Sequence, residues 1–338
     1  MKALILAGGS GERFWPLSTS NTPKQFLKLF GDKSLIKQTF ERLLYRLKAE
    51  DIFVVTSEEN IEKLLEELPE IPIENVIKEP FKRNTAPACF LGVLAIGPDE
   101  VILTVPCDHR IPDSESFWKS VDKAIHGVNK YGGLYTFGIK PTRPETGYGY
   151  IEIGKKLEDG IYEVSRFREK PNLETAMEFL KSGNFYWNSG MFVWRGEDFI
   201  EEVKRTKPVI YEKLIGVNFK DEEDLKKRYM EIPDISVDYA VLERSSNIKM
   251  VEGEFEWSDV GNWSSIVELE GYSEDEGNVV LIDSEKIFVK TNKKPVAVIG
   301  LSRIVVIDSP DGILVCHEDH VQRVKDVVRK LKNRGYVV

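Results

Sequence analysis

The sequence predicts an α/β protein: a doubly wound, mostly parallel sheet followed by a small C-terminal domain of short strands. Three observations lead there. Apolar runs bounded by turn residues alternate with segments of helical period through the first part of the chain. Those runs are Val, Ile and Leu without polar alternation, the pattern of strands covered on both faces. Beyond Gly277 the pattern changes to short apolar pairs stepping by eight or nine residues.

In chain order, strands are expected at Ala3–Ala7, Ile52–Val55, Val101–Val105 and Leu134–Phe137, with helices at Leu35–Leu47, Ile61–Leu68 and Ser116–Val128 between them. Ligands of such sheets bind beyond the carboxyl ends of the strands, so chemistry is expected just after Ala7, Val55 and Val105. Gly147–Ile153 and Ile161–Phe167 read as paired strands, and Leu173–Lys181, Glu222–Tyr229 and Val237–Arg244 as helices, all extending the first domain. The polar run from Gly271 to Gly277 reads as a linker, which gives domains at 1–270 and 277–338. In the second, Ile287/Val289, Val296/Val298, Ile304/Val306 and Ile313/Val315 suit a small solenoid or meander, each strand burying a face by stacking on its neighbour. A final helix follows the period Val321, Val324, Val328, Leu331.

With 338 residues the chain exceeds the length at which one core usually stops growing. Its 41% hydrophobic and 30% charged residues are those of an ordinary globular protein. No apolar run is long enough to span a membrane. The segment Met1–Ala7 breaks into Gly8-Gly9-Ser10-Gly11 before a signal-peptide core could form, so it reads as a strand and the protein as cytoplasmic. Three cysteines, Cys89, Cys107 and Cys316, without CxxC spacing argue against a disulfide framework and a thiolate zinc site. A net charge of −9 repels polyphosphate chains, which argues against nucleic-acid partners; any bound phosphate must be held by a local site.

The first such site is the segment Leu6-Ala7-Gly8-Gly9-Ser10-Gly11-Glu12-Arg13, where glycines let backbone N–H groups approach a phosphate. It is not a Walker A loop, since Glu12-Arg13 follows Gly11 where that motif needs Lys-Ser/Thr. It also fails the dinucleotide fingerprint, because Phe14 stands where the third glycine belongs. A second cation follows shortly, in Thr22-Pro23-Lys24-Gln25-Phe26. Asp108 ends the apolar run that starts at Val101, a position for a metal ligand or a plain turn residue. Asp259 lies in Trp257-Ser258-Asp259-Val260-Gly261-Asn262-Trp263, as a ligand or a helix N-cap. Asn84-Thr85 could read a purine edge or simply cap a helix. His317 and His320 lack an evident third ligand and read as a solvated helix end.

The string GGSGERFWPLS followed by PKQF resembles the signature of the sugar-1-phosphate nucleotidylyltransferases, and in its wording their mannose-1-phosphate guanylyltransferase branch. The resemblance extends through RNTAPA, PCDH, the segments around Gly147, Glu169-Lys170 and Asn188, WSDVGNW and the C-terminal strands. It implies a Rossmann-like catalytic domain with a C-terminal β-helix-like domain, and transfer of GMP from GTP to mannose 1-phosphate with Mg²⁺. By the same resemblance Arg13 and Lys24 hold the triphosphate, with Leu6 to Gly11 at the nucleotide. Asn84 and Thr85, with the backbone at Gly8, take the guanine. Asp108 and Asp259 bind the metal. Glu169 and Asn188 take hexose hydroxyls, Gly147 contacts the sugar through its backbone, and Lys170 takes the sugar phosphate. It further implies a homodimer and, with the chain ending at Val338, no phosphomannose isomerase activity. Rival readings are a nucleotidylyltransferase for another sugar or base, and a non-catalytic sugar-nucleotide sensor, which would not need both aspartates and all three cations.

Overall fold

The computed structural model describes residues 1–9 and 11–338, so Ser10 lies outside the described residues. The chain forms two compact units. The first contains residues 1–8, 39–107 and 111–257, the second residues 9–38, 108–110 and 258–338.

The first unit is built on a nine-stranded sheet ordered β3-β2-β1-β4-β8-β5-β9-β7-β6. These strands are β1 (Lys2–Ala7), β2 (Ile52–Ser57), β3 (Val76–Glu79), β4 (Val101–Pro106), β5 (Leu134–Ile139), β6 (Gly149–Glu158), β7 (Ile161–Glu169), β8 (Phe185–Arg195) and β9 (Ile248–Glu252). The sheet is mixed. β3, β2, β1 and β4 run parallel, with Ala3 opposite Ile52 and Leu103. β8 then lies antiparallel between β4 and β5, and β6 and β7 form the expected antiparallel pair. The helices are α1 (Leu35–Leu44), α2 (Ile61–Glu67), α3 (Thr85–Ile96), α4 (Ser114–Tyr131), α5 (Leu173–Ser182), α6 (Gly196–Thr206), α7 (Pro208–Leu214), α8 (Glu222–Met230), α9 (Trp263–Glu270) and α10 (Val324–Asn333). Of these, α3 is apolar all round and buries every residue from Ala86 to Val93, the behaviour of a helix enclosed by a core. Where a helix was expected at Val237–Arg244, the chain makes a π-helical turn, Asp238–Leu242.

The second unit has its own core, in which Phe14, Trp15, Leu27 and Leu29 pack with Val260, Trp263, Phe288, Val305, Ile307 and Val324. Phe14 meets Trp263 edge-on at 5.1 Å, and the Trp263 indole N–H donates to the Trp15 carbonyl at 3.2 Å. Its strands are β10 (Val279–Ile282), β11 (Glu285–Lys290), β12 (Val296–Ile299), β13 (Ser302–Ser309) and β14 (Gly312–His317). β10 pairs in parallel with β12 and β11 with β13, Val279 facing Val296 and Ile287 facing Ile304. Both offsets are one turn of a parallel coil, and the recurrent apolar pairs in the sequence mark half-turns. β14 closes the coil antiparallel to β13, and α10 buries Val324 and Val328 as its period predicts.

No helix among the described residues is long and apolar enough to cross a membrane. Among the described residues the three cysteines form no disulfide, and Cys89 and Cys107 are buried.

Candidate functional site

Three groups of side chains carry the candidate chemistry, one in the second unit and two in the first. β1 and β4 are neighbours and end side by side, Leu6 opposite Pro106. The chain then turns at Gly11, whose φ of +66° and close approach exclude a side chain: a Cβ there would fall 2.2 Å from Lys24 Cβ. A single 3₁₀ turn, Glu12–Phe14, follows in place of a long helix. Lys24 is brought in beneath it, its side chain only 9% exposed. The Lys24 ammonium donates to Asp108 Oδ2 at 2.6 Å and to the Asp259 backbone carbonyl at 3.2 Å. The two aspartate segments are also joined directly, by Arg110 N–H to Ser258 O at 2.9 Å and Ser258 N–H to Arg110 O at 3.1 Å. Asp108 and Asp259, distant in sequence, thus border one cavity of about 400 Å³, with Arg13 exposed at its edge.

Burial opposes the charge on Asp108, but the Lys24 ammonium and neighbouring His109 outweigh it and hold the carboxyl below its ordinary range. Asp259 is fixed differently. Fully buried Val260, next in the chain, has φ +48°, a left-handed conformation that costs a β-branched residue on the order of 1–3 kcal/mol. A Cβ on Gly261 would stand 2.7 Å from Asp259 Oδ2, so the carboxylate rests over bare backbone. Asn262, not Asp259, caps α9, accepting from the Ser264 N–H at 2.7 Å. The capping alternative for Asp259 is therefore excluded. Two carboxylates at one cavity form a hard-oxygen donor set that leaves the remaining positions of an octahedral cation to phosphate oxygens. No group of three His, Cys, Asp or Glu suited to a metal occurs among the described residues.

The second group surrounds Gly8 in the first unit. Asn84 has φ +68° and ψ −173°, a region essentially reserved for glycine. Its Oδ1 accepts from the Thr85 N–H at 2.9 Å, and its Nδ2 donates to Asp234 at 3.1 Å. The Thr85 hydroxyl accepts from the Val237 N–H at 2.9 Å. Both side chains thus serve local structure as a helix cap does. The group facing Gly8 is Glu79, at the end of β3: its Oε2 stands 3.3 Å from where a Gly8 Cβ would be, and Tyr229 donates to its Oε1 at 2.8 Å. Burial pushes the Glu79 carboxyl up. Leu6 and Ala7 are bound through their carbonyls, to the Cys107 N–H and the Thr56 hydroxyl, each at 3.1 Å.

The third group gathers Glu169 from the end of β7, Lys170, Asn188 from β8 and Asp238 from the π-helical turn. Lys170, at φ +45°, pairs with Glu169 Oε1 at 2.8 Å. Asn188 accepts from the Thr136 hydroxyl at 2.7 Å and donates to Asp238 Oδ1 at 3.0 Å. Burial and the Glu169 charge push the Asp238 carboxyl up to about 7, against the pull of Lys170 and Asn188. Gly149 rather than Gly147 lies against these residues, with a hypothetical Cβ 2.5 Å from Glu169 Oε2. Gly147 sits in the preceding loop, where its N–H donates to Glu145 Oε1 at 2.9 Å. Sequence reasoning missed Asp238 and Glu79. Only the placement of Glu79 after a short apolar strand could have signalled one of them.

Comparison with known proteins follows this geometry. Residues 2–276 match the family model described as nucleotidyl transferase, and residues 277–331 that of the MannoseP isomerase/GMP-like beta-helix domain. A mannose-1-phosphate guanylyltransferase from Escherichia coli is 38% identical over 97% of this chain and 73% of its own length. A structure described as mannose-1-phosphate geranyltransferase from Thermus thermophilus aligns with a TM-score of 0.88 at 33% identity, covering 98% of this chain and 99% of that one. Another, described as mannose-6-phosphate isomerase from Helicobacter pylori, aligns with a TM-score of 0.64 at 35% identity over 76% of this chain and 98% of that one.

Proposed function

Since this chain belongs to the nucleotidyl transferase family, we propose that it transfers GMP from GTP to mannose 1-phosphate, giving GDP-mannose and pyrophosphate. The observation that carries this reading is the cavity at which Asp108 and Asp259 converge around Lys24 beside the glycine-rich turn.

The sugar phosphate is already ionised at neutral pH, so no general base is required. One of its oxygens attacks the α-phosphorus in line, and the bond to the β-phosphate oxygen breaks, pyrophosphate leaving with the electron pair. Catalysis then consists of alignment and charge neutralisation. Arg13 and Lys24 are assigned to the triphosphate and Lys170 to the sugar phosphate. Glu169 and Asn188 take hexose hydroxyls, with Asp238 holding the Asn188 amide in orientation and Gly147 offering backbone. Gly8 and the Asn84-Thr85 turn shape the base pocket. Buried Glu79 supplies an acceptor for the adjacent N1–H and amino group that guanine presents on one edge, a pairing that other bases cannot reproduce.

The nucleotidyl transferase family generally uses a divalent metal. We assign Asp108 and Asp259 to Mg²⁺, which when bound neutralises phosphate oxygens and makes the α-phosphorus more open to attack. The reading also takes the protein as a cytoplasmic homodimer. Exposed Ile299, Ile313 and Val315 on the C-terminal coil support the self-association.

Pyrophosphate release over a panel of nucleoside triphosphates and hexose 1-phosphates tests the proposal. GTP with mannose 1-phosphate should be the best pair. Equal turnover with UTP would overturn the guanine assignment.

A further inference from the structure

Outside the residues already assigned, one more cation borders the phosphate cavity. Lys325, in the first turn of α10, lines it together with Gly11, Arg13, Lys24, Asp108 and Asp259. Its helix is anchored by other means. Val324 and Val328 are buried in the core that holds Phe14 and Trp15, and Lys332 Nζ donates to Glu12 Oε1 at 2.7 Å. Lys325 belongs to neither anchor. Its side chain is exposed, and among the described residues it makes no ion pair, whereas Lys24 is held by Asp108. The cavity therefore offers two cations that no carboxylate among the described residues already neutralises, Arg13 and Lys325.

A triphosphate brings several negative charges toward a site that contains two carboxylates, and a bound cation plus one unpaired arginine leaves much of that charge unanswered. A lysine is suited to the remainder, as a compact point charge on a flexible stem that can follow a phosphate from substrate to leaving group. Resting on the nucleotidyl-transfer reading, we propose that Lys325 binds the terminal phosphates of the nucleoside triphosphate and the pyrophosphate they become. On this account the C-terminal domain supplies a substrate-binding residue. Because the ammonium is exposed, its contribution is screened by salt and is smaller than that of a buried pair.

The test uses the full chain with three substitutions: Lys325→Gln, Lys325→Arg, and Lys330→Gln as a control on the same helix that lines neither this cavity nor the groove beside Glu12. Binding of inorganic pyrophosphate with Mg²⁺ is measured by calorimetry, and KM for GTP and for mannose 1-phosphate by steady-state kinetics. Lys325→Gln should weaken pyrophosphate binding and raise KM for GTP by about tenfold at low salt. KM for mannose 1-phosphate and the melting temperature should stay at wild-type values, Lys325→Arg should restore most of the loss, and Lys330→Gln should change nothing. Unchanged pyrophosphate affinity in Lys325→Gln, or an equal loss in Lys330→Gln, overturns the proposal. If wild-type protein turns over no pair in the substrate panel, the transfer reading fails, while calorimetry with pyrophosphate still decides the role of Lys325.

Discussion

Asp108 and Asp259 reach one cavity because Lys24 and a two-bond bridge between Arg110 and Ser258 draw their segments together. Asparagine at either position keeps the shape and removes one negative charge. If both hold one cation, each substitution should lower kcat on the order of a hundredfold or more with little change in melting temperature. The double substitution should be scarcely worse than either single one, since ligands of one ion act as a unit. A wild-type kcat and Mg²⁺ dependence in Asp259→Asn would remove it from the ligand set. A second prediction concerns Asp238, whose carboxyl is raised to about 7 by burial and by Glu169, with Lys170 and Asn188 opposing. The folded state then binds the proton more tightly than the unfolded chain, so stability falls as pH rises from the ordinary aspartate range through about 7. An asparagine in its place cannot ionise. The melting temperature of Asp238→Asn minus that of wild type should therefore grow from about pH 5 to about pH 8, and a difference that stays constant over that range would mean that Lys170 keeps Asp238 charged throughout. The glycine-rich turn, both aspartates and the Glu169-Lys170 pair were legible in the sequence because their residue types occur in a characteristic order. Asp238 was not: it emerges from a π-helical turn that propensity reads as ordinary helix, and its significance depends on contact with Asn188 from another strand.

At the scale of elements, the strands β1, β2, β4 and β5 and the helices α1, α2 and α4 were legible because each is an apolar run or a segment of helical period. β8 was not, since Phe185–Arg195 carries Asn188, Ser189 and Gly190 in its middle, which interrupt its apolar run. Its insertion between β4 and β5, together with the antiparallel β6 and β7, makes the sheet mixed. The C-terminal coil was legible as spacing but not as topology, because period alone does not distinguish a meander from parallel rungs. The registers do, pairing β10 with β12 and β11 with β13. These short strands leave Ile282, Ile299, Ile313 and Val315 each roughly half exposed or more. Ile282 and Ile299 lie on the β10/β12 pair and Ile313 and Val315 on β14, and a second copy covering either apolar face would account for its exposure. Sedimentation equilibrium should give twice the monomer mass, and Ile299→Asp with Ile313→Asp should shift the protein toward monomer while its helical circular dichroism stays unchanged. A wild-type protein that sediments as a monomer at micromolar concentration refutes the dimer.

Taken as a whole, the chain passes between its two units repeatedly, and the second unit is assembled from residues 9–38, 108–110 and 258–338. That arrangement bears on how the protein comes into being on the ribosome. Phe14 and Trp15 are made well before their core partners Trp263, Phe288, Val305 and Val324. Until these emerge, two large aromatic rings have only Leu27, Leu29 and Leu35 of their own buried core to pack against, and Asp259 does not yet exist to complete its cavity. The sheet strands β1 to β9 can pair earlier, since all lie before residue 258. Synthesis thus passes through a long interval in which a formed sheet carries an unfinished N-terminal loop, an exposure that invites chaperone binding or aggregation. The same order of events leaves the cavity bordered by Asp108 and Asp259 incomplete until α10, which carries Lys325 to its lining, has been made.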